Sequence, residues 1–288
     1  MLVSLQSTDG LPEFGLPEAL VLSDEENPAD IRISLGVGTL SGEEPGGPVR
    51  LTRGGMEARG SQEHLVWTHP EMGPIIDVRP RSGVIDIRLP SWAWTKTTNV
   101  FDQLLIPGLL PAFAARGLRA FHASAVEVNG YGVFFTGPSG SGKTTAALLL
   151  ISNGAKLIAD DMMFLYREEG RPVISGLGDG IRARKEVWER FEHFRPQSPE
   201  ASGKKRLDQS EIPWKKKAYP RAGIILGMEG DPGRLKIAQA LPKLLSLCYH
   251  VGDEEIVLKG LAELSGEVLL FGAEKPERAA TIAMQPGE

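Results

Sequence analysis

The sequence predicts an α/β protein, in which a small β-rich part precedes a P-loop domain. Three observations point there. Gly137 to Thr144 has the form G-x-x-x-x-G-K-T and stands between a β-like run and an Ala/Leu-rich helical run. The pair Asn129-Gly130 joins two apolar runs just ahead of it, a strong hairpin signal. In the first hundred residues, runs such as Ile31-Arg32-Ile33-Ser34-Leu35 alternate apolar and polar, the period of a half-buried strand. At 288 residues the chain fits one large or two ordinary domains. The texture changes near Asn99, which divides it into a β-rich part at 1–99 and a P-loop part at 100–288.

Composition narrows the class. Hydrophobic residues at 41% and charged residues at 24% are globular proportions, which excludes wholesale disorder. The 34 glycines and 21 prolines favour many turns over long helices. A net charge of −5 argues against a nucleic-acid backbone as partner. The single cysteine, Cys248, excludes an internal disulfide or a cysteine zinc cluster. Met1 to Gly10 lacks a signal peptide's basic and apolar regions, and no apolar run approaches about 18 residues. A soluble, cytoplasmic protein with no membrane or nucleic-acid partner is expected.

Charge is uneven along the chain. Residues 1–100 hold 8 basic and 14 acidic residues, whereas 182–221 hold 12 basic and 6 acidic. Lys204-Lys205-Arg206 and Lys215-Lys216-Lys217 are the clusters in that stretch, and Pro196 to Gly203 beside the first reads as a loop. A basic stretch in an acidic protein suggests an anionic ligand; a solvated surface is the alternative.

In chain order, Ile31–Leu35, His64–Thr68 and Ile85–Leu89 read as strands, separated by turns at Gly42–Gly47 and Arg53–Gly55. Phe101, Leu104, Leu105, Leu109, Leu110 and Phe113 mark helical stretches that Pro107 and Pro111 should interrupt and Gly117 should close. Phe121–Val128 and Gly132–Thr136 read as a hairpin around Asn129-Gly130. A helix from Lys143 to about Gly154 follows, then a short strand, Lys156–Ala159. Further helices are expected near 184–194, with Val187, Phe191 and Phe194 on one face, near Leu241–Tyr249 and near Pro276–Ala283. Strands are expected near Ala222–Leu226 and Glu267–Phe271.

The chemistry concentrates in the P-loop, a Walker A sequence: Gly137, Pro138, Ser139, Gly140, Ser141, Gly142, Lys143 and Thr144, with Thr145 next. Its glycines let successive backbone N–H groups turn inward to nucleotide phosphates, and the helix N-terminus adds positive potential. Lys143 is placed to reach the β- and γ-phosphates of ATP, and the Thr144 hydroxyl to coordinate Mg²⁺. Asp160-Asp161 begins 17 residues after Lys143, at the end of a β-like run. Side chains alternate along a strand, so both can reach a phosphate site only from its end, one as metal ligand and one as base. A solvated strand end is the plainer reading of such a pair. His122, alone, is read as structural or exposed.

His122-Ala123-Ser124-Ala125-Val126, Asn129-Gly130, the P-loop and Ala159-Asp160-Asp161 together resemble the C-terminal catalytic domain of HPr kinase/phosphorylase. They resemble the wider group of HPr-kinase-like serine kinases still more closely, especially where Leu109-Leu110-Pro111 and Gly117-Leu118 lead into His122. The likeness covers about residues 105–165. It implies a phosphoenolpyruvate carboxykinase-like fold, with the P-loop in a mixed sheet and the acidic pair on a neighbouring strand. It also implies that Asp160 is the general base on an acceptor serine, that Asp161 and Thr144 hold Mg²⁺, and that His122 stands near the transferred phosphate. Thr145 stands where the bifunctional enzymes carry Glu, and Gly176-Leu177-Gly178-Asp179-Gly180-Ile181-Arg182 stands in place of their Glu-Ile-Arg-Gly-Leu-Gly signature.

The function expected is ATP-dependent phosphorylation of a serine on a small protein or peptide, with room for assembly as a homo-oligomer. An ATP-binding regulatory module without transfer and a small-metabolite kinase are the alternatives. Arg182, Arg184 and Lys204–Arg206 are secondary candidates for phosphate or acidic-peptide contact, balanced by solubilising charge. Trp188 and Trp214 could stack an adenine, but core packing is the expected role.

Overall fold

The computed structural model describes residues 2–7, 21–22, 29–40, 46, 49–53, 55–94, 100–178, 180–191, 194, 204–207, 211–228, 233–249, 258, 261–262 and 266–285. Pro196–Gly203 and most of Gly42–Gly47 lie outside them. One compact unit covers Met1–Leu118 and a second begins at Arg119.

The first unit is built on an eight-stranded sheet: β1 (Leu2–Ser7), β2 (Val21–Leu22), β3 (Ile31–Val37), β4 (Val49–Arg53), β5 (Met56–Gly60), β6 (Leu65–His69), β7 (Gly73–Arg79) and β8 (Val84–Leu89). Their order is β2-β1-β3-β8-β7-β6-β5-β4. The alternation read from the sequence is met by burial: Ile31, Ile33 and Leu35 on β3, and Ile85, Ile87 and Leu89 on β8, are buried. After helix α1 (Ser91–Trp94), a π-helical stretch at Phe101–Leu105 runs into α2 (Ile106–Ala115). The textural change near residue 99 therefore falls inside this unit, because α2 packs on β7 and β8.

Neither proline interrupts α2. Pro107 lies in the first turn, where an N–H has no intrahelical acceptor, while Pro111 lies inside and removes one hydrogen bond. Gly117 does end the segment, at φ +81°. Its N–H donates to Ala114 O at 3.0 Å and that of Leu118 to Phe113 O at 3.1 Å, satisfying two final carbonyls.

The second unit holds two five-stranded sheets. The central one has the order β12-β10-β11-β18-β20, from β10 (Ala123–Val128), β11 (Tyr131–Thr136), β12 (Lys156–Ala159), β18 (Pro220–Leu226) and β20 (Leu269–Ala273). It is mixed: β10 runs antiparallel to β11 and β12, whereas β11, β18 and β20 are parallel. The other has the order β17-β14-β13-β9-β19, from β9 (Arg119–Phe121), β13 (Met163–Glu168), β14 (Arg171–Gly176), β17 (Lys217–Ala218) and β19 (Cys248–Tyr249). A ribbon of β15 (Ile181–Arg184) and β16 (Lys204–Leu207) completes the strands.

Strand alternation divides the core between the two faces of the central sheet. Val126, Val133, Phe135 and Ile224 pack against α3 (Lys143–Ile151), α4 (Lys185–Arg190) and the C-terminal helix Pro276–Met284. Ala125, Phe134 and Ile225 pack the other way, against Met163, Leu165 and Ile174 of the second sheet and Ala240 and Leu244 of α5 (Ile237–Leu247). Each face buries several large apolar side chains, at about 1.5–3 kcal/mol for each one. Helix α4 is shorter than the span expected at 184–194, while Val187, Phe191 and Phe194 still pack into the core. The helix expected to reach Tyr249 stops at Leu247, and Cys248–Tyr249 pairs with β9 instead. No described helix is long and apolar enough to cross a membrane.

The single strand expected at Phe121–Val128 is two strands in two sheets. Phe121 pairs with Met163 and Cys248, whereas Ala123 pairs with Thr136. The chain changes sheets at His122. Its N–H donates to Leu247 O at 3.2 Å and its carbonyl accepts from the Thr136 hydroxyl at 3.1 Å. These bonds tie His122 to both sheets, its N–H to the β9 side and its carbonyl to the β11 side.

Candidate active site

The site forms at one edge of the central sheet, where β10 begins and β11 and β12 end. The hairpin turn is tight: Val128 pairs directly with Tyr131, and Asn129 and Gly130 adopt φ +51° and +90°. Strand β11 delivers Thr136 into the P-loop. Gly137, at φ +151°, has no room for a side chain, since a Cβ would lie 2.7 Å from Leu226 O. Gly142, at φ +93°, precedes α3, whose N-terminus has no side-chain cap. Its first amides are thus left to bind an anion. Ser141 Oγ is buried and has no hydrogen-bond partner among the described residues. Lys143 is buried, and its Nζ donates to Gly137 O and Pro138 O, both at 2.9 Å.

Asp160, 4% exposed, lies just past β12. Its Oδ1 accepts from Ser124 Oγ at 2.5 Å and from Thr144 Oγ1 at 3.0 Å, and its Oδ2 accepts from Arg182 N–H at 3.2 Å. Burial raises the carboxyl's pKa above the ordinary aspartate value, against the opposing pull of the Ser124 hydrogen bond, and the neighbouring Asp161 charge raises it further.

The adjacent carboxylate goes the other way. Asp161 takes the left-handed conformation, φ +68°, in a turn closed by Met162 N–H on Asp160 O at 2.8 Å. Its side chain is half exposed, with Oδ1 at 3.2 Å from His122 Nδ1. The same Nδ1 stands 3.0 Å from Asp161 O. A carbonyl oxygen only accepts, so Nδ1 carries the hydrogen. Strand alternation followed by this turn places one carboxylate inside and one outside. A non-glycine residue held in that conformation is strain of the kind that gathers at functional sites.

His122, Lys143, Thr144, Asp160 and Asp161 therefore come together. The remaining candidates divide. Arg182 joins through its backbone N–H, and Arg184 lies two residues along β15. Lys204, Lys205 and Arg206 form the backbone of β16 opposite them. Trp188 is core, with Nε1 donating to Ala183 O at 3.0 Å, and Trp214 packs at the rim of the same cluster, its backbone bridging to Leu157. Ser124 and the Arg182 amide received no role from the sequence. The one available signal was a hydroxyl two residues from His122, flanked by Ala123 and Ala125 in the strand.

Among the described residues no three His, Cys, Asp or Glu side chains form a free-standing metal centre. A Thr144 hydroxyl beside the Asp160 carboxylate, next to uncapped helix amides, is instead a hard-oxygen donor set that suits a cation arriving with phosphates.

Residues 114–184, which span His122, the P-loop and both aspartates, match the HPr Serine kinase C-terminal domain family. The HPr kinase/phosphorylase of Leptospira biflexa serovar Patoc is 32% identical over 126 residues, covering 43% of this chain and 37% of that protein. That of Bacillus subtilis (strain 168) is 35% identical over 116 residues, covering 39% and 34%. The chain thus spans little more than a third of the length of these curated relatives. Among solved structures, the Hpr(Ser) kinase/phosphatase from Coxiella burnetii is similar at 14% identity and a TM-score of 0.32, covering 57% of this chain and 93% of that one.

Proposed function

We propose that the chain is an ATP-dependent kinase that transfers the γ-phosphoryl group to a serine of a small protein or peptide, in the cytoplasm, on a phosphoenolpyruvate carboxykinase-like P-loop fold. The observation that carries this is the pairing of the P-loop with two divergent carboxylates. Thr144 donates to the buried Asp160, and His122 meets the exposed Asp161. Nucleotide binding without transfer needs only the first pair.

In this reading Lys143 leaves the carbonyls of Gly137 and Pro138 for the phosphates, and the amides from Gly140 to Thr144 line the loop around them. Thr144 and Asp160 hold Mg²⁺, which when bound supplies charge neutralisation on the phosphates. Asp161 accepts the proton of the serine hydroxyl, and His122 orients Asp161 and faces the transferred group. The serine oxygen bonds to the γ-phosphorus, the bond to the β–γ bridging oxygen breaks, and ADP leaves with that electron pair.

This division of the carboxylates reverses the one that the resemblance implied. The reason is access: both oxygens of Asp160 are already engaged by protein donors at 4% exposure, whereas Asp161 faces solvent. Labelled-ATP transfer to a panel of HPr, short serine peptides and small metabolites tests the proposal. Label on a protein or peptide serine is expected. Label confined to metabolites, or ATP binding with no transfer to any acceptor, would overturn it.

A further inference from the structure

We propose that Ser124 is a positioning residue: its hydroxyl fixes the Asp160 carboxylate against Thr144 and so sets how tightly the site holds Mg²⁺. The inference rests on the reading above, in which Thr144 and Asp160 hold the metal.

Packing gives no reason for a serine at this position. Ser124 lies on β10 and is 1% exposed. Ala123 and Ala125 belong to the core on one face of the sheet, and Val126 and Val128 to the core on the other. Alternation therefore groups Ser124 with the two valines. Phe135 of the same core lies directly opposite it on β11. Among such neighbours a hydroxyl is unfavourable unless its hydrogen bond is made. The bond it makes is to Asp160 Oδ1 at 2.5 Å, in the range of a hydroxyl donating to a carboxylate.

That bond is the shortest of the three described on the Asp160 side chain. The Thr144 hydroxyl donates to the same oxygen at 3.0 Å, and the Arg182 N–H to the other oxygen at 3.2 Å. An aspartate's terminal torsion is broad, so donors rather than its own rotamer set the carboxylate's rotation. Ser124 is a fixed donor, carried on a strand that is paired on both sides. With Oδ1 held there, the hydrogen of Thr144 is committed to it. A hydroxyl whose hydrogen is committed offers its oxygen lone pairs to a cation. Ser124 thereby acts on the metal site through Asp160, as the outer partners of metal ligands do. Without it, the carboxylate hangs on the two longer bonds.

Titration calorimetry of the full chain with ATP, once in EDTA and once in excess Mg²⁺, tests this. The ratio of the two affinities reads what the metal adds. Ser124→Ala should bind metal-free ATP as the wild type does and lower that ratio about tenfold, the lower end of the usual loss for an outer partner of a metal ligand. Ser124→Cys should do the same, because a thiol fills the space of the hydroxyl but is only a weak donor. If Ser124→Ala does not fold, Ser124→Cys decides alone. A folded variant with the wild-type ratio overturns the proposal, whatever its Tm, since a packing role would change stability and leave the ratio alone. A wild type whose ATP affinity ignores Mg²⁺ refutes the metal site and the proposal with it. No acceptor is present in these titrations. Failure to transfer phosphate to any acceptor therefore refutes the kinase reading without touching Ser124, and normal transfer with an unchanged ratio refutes the role of Ser124 alone.

Discussion

The Thr144 hydroxyl donates to Asp160 Oδ1 at 3.0 Å and so ties the first turn of the P-loop helix to the end of β12. These residues are 16 apart in sequence and meet because β10 lies between β11 and β12, carrying Ser124 to the same oxygen. One buried carboxylate therefore sets the geometry of loop, strand and ribbon together.

Replacing the two carboxylates separates their roles. Asp161→Asn should keep Mg²⁺-ATP affinity and lower kcat by roughly 10²–10⁴-fold, the usual loss for a general base. Asp160→Asn should raise the Mg²⁺ requirement. Titration calorimetry and metal-dependence curves decide this, and interchange of the two phenotypes would restore the opposite assignment.

Lys143→Ala removes two charge-assisted bonds to loop carbonyls as well as the ligand contact. ATP affinity should fall at least about tenfold, since a hydrogen bond to a charged group is worth about 1.5–3 kcal/mol. Far-ultraviolet circular dichroism should not change, because both of these bonds lie within the loop and neither belongs to a strand or helix ladder. A folded variant with wild-type affinity would count against the P-loop as the nucleotide site.

The pH dependence of stability follows from two carboxyls of opposite sign. Burial raises the pKa of Asp160 in the fold, so its contribution is present below the unfolded pKa and lost as pH rises through the folded one. Without nucleotide, Tm should fall across that window, and Asp160→Asn should flatten the fall. Glu127 is held low by its 2.5 Å hydrogen bond from Lys215. Its stabilisation is present above the unfolded pKa and lost as pH falls through the folded one, by up to about 1 kcal/mol for a pair whose lysine is solvent-screened. Glu127→Gln should flatten the acid side instead. Scanning calorimetry from acid to neutral pH reads both, and parallel curves for all three proteins would refute the assignment.

Packing of the central sheet can be tested at a glycine. A Cβ at Gly223 would stand 2.3 Å from the ring of Phe134, itself buried. Gly223→Ala should cost about 1–3 kcal/mol, the usual range for overpacking, and lower Tm by about 2–4 °C per kcal/mol. Gly233→Ala, with nothing within 4 Å, is the control and should stay near wild type.

Local pattern made part of this protein legible. The Asn129-Gly130 turn, the P-loop and the helix after it are encoded within a few residues, as backbone conformation and hydrophobic period are. The β-rich start was visible where a buried face is lined by large apolar residues, as in Ile31–Leu35, and not where that face is carried by Met56 and Ala58, as in β5, or where the strand carries Gly and Pro, as β7 does with Gly73-Pro74. The hairpin of β13 and β14 was missed for a related reason: its charged and polar residues, Arg167, Glu168 and Arg171, lie where the strands leave the core.

By itself the sequence determined which groups could do phosphate chemistry: a glycine-rich loop, its lysine and threonine, two adjacent aspartates and a histidine. Only tertiary structure decided what each aspartate faces. Adjacent residues at a strand end are equivalent in a linear pattern, and their separation depends on a left-handed turn at Asp161 and on donors from β10, α3 and β15. The place of His122 was decided in the same way, by a change of sheets between Phe121 and Ala123. Burial and long-range hydrogen bonds are properties of what a chain packs against, and no local spacing carries them.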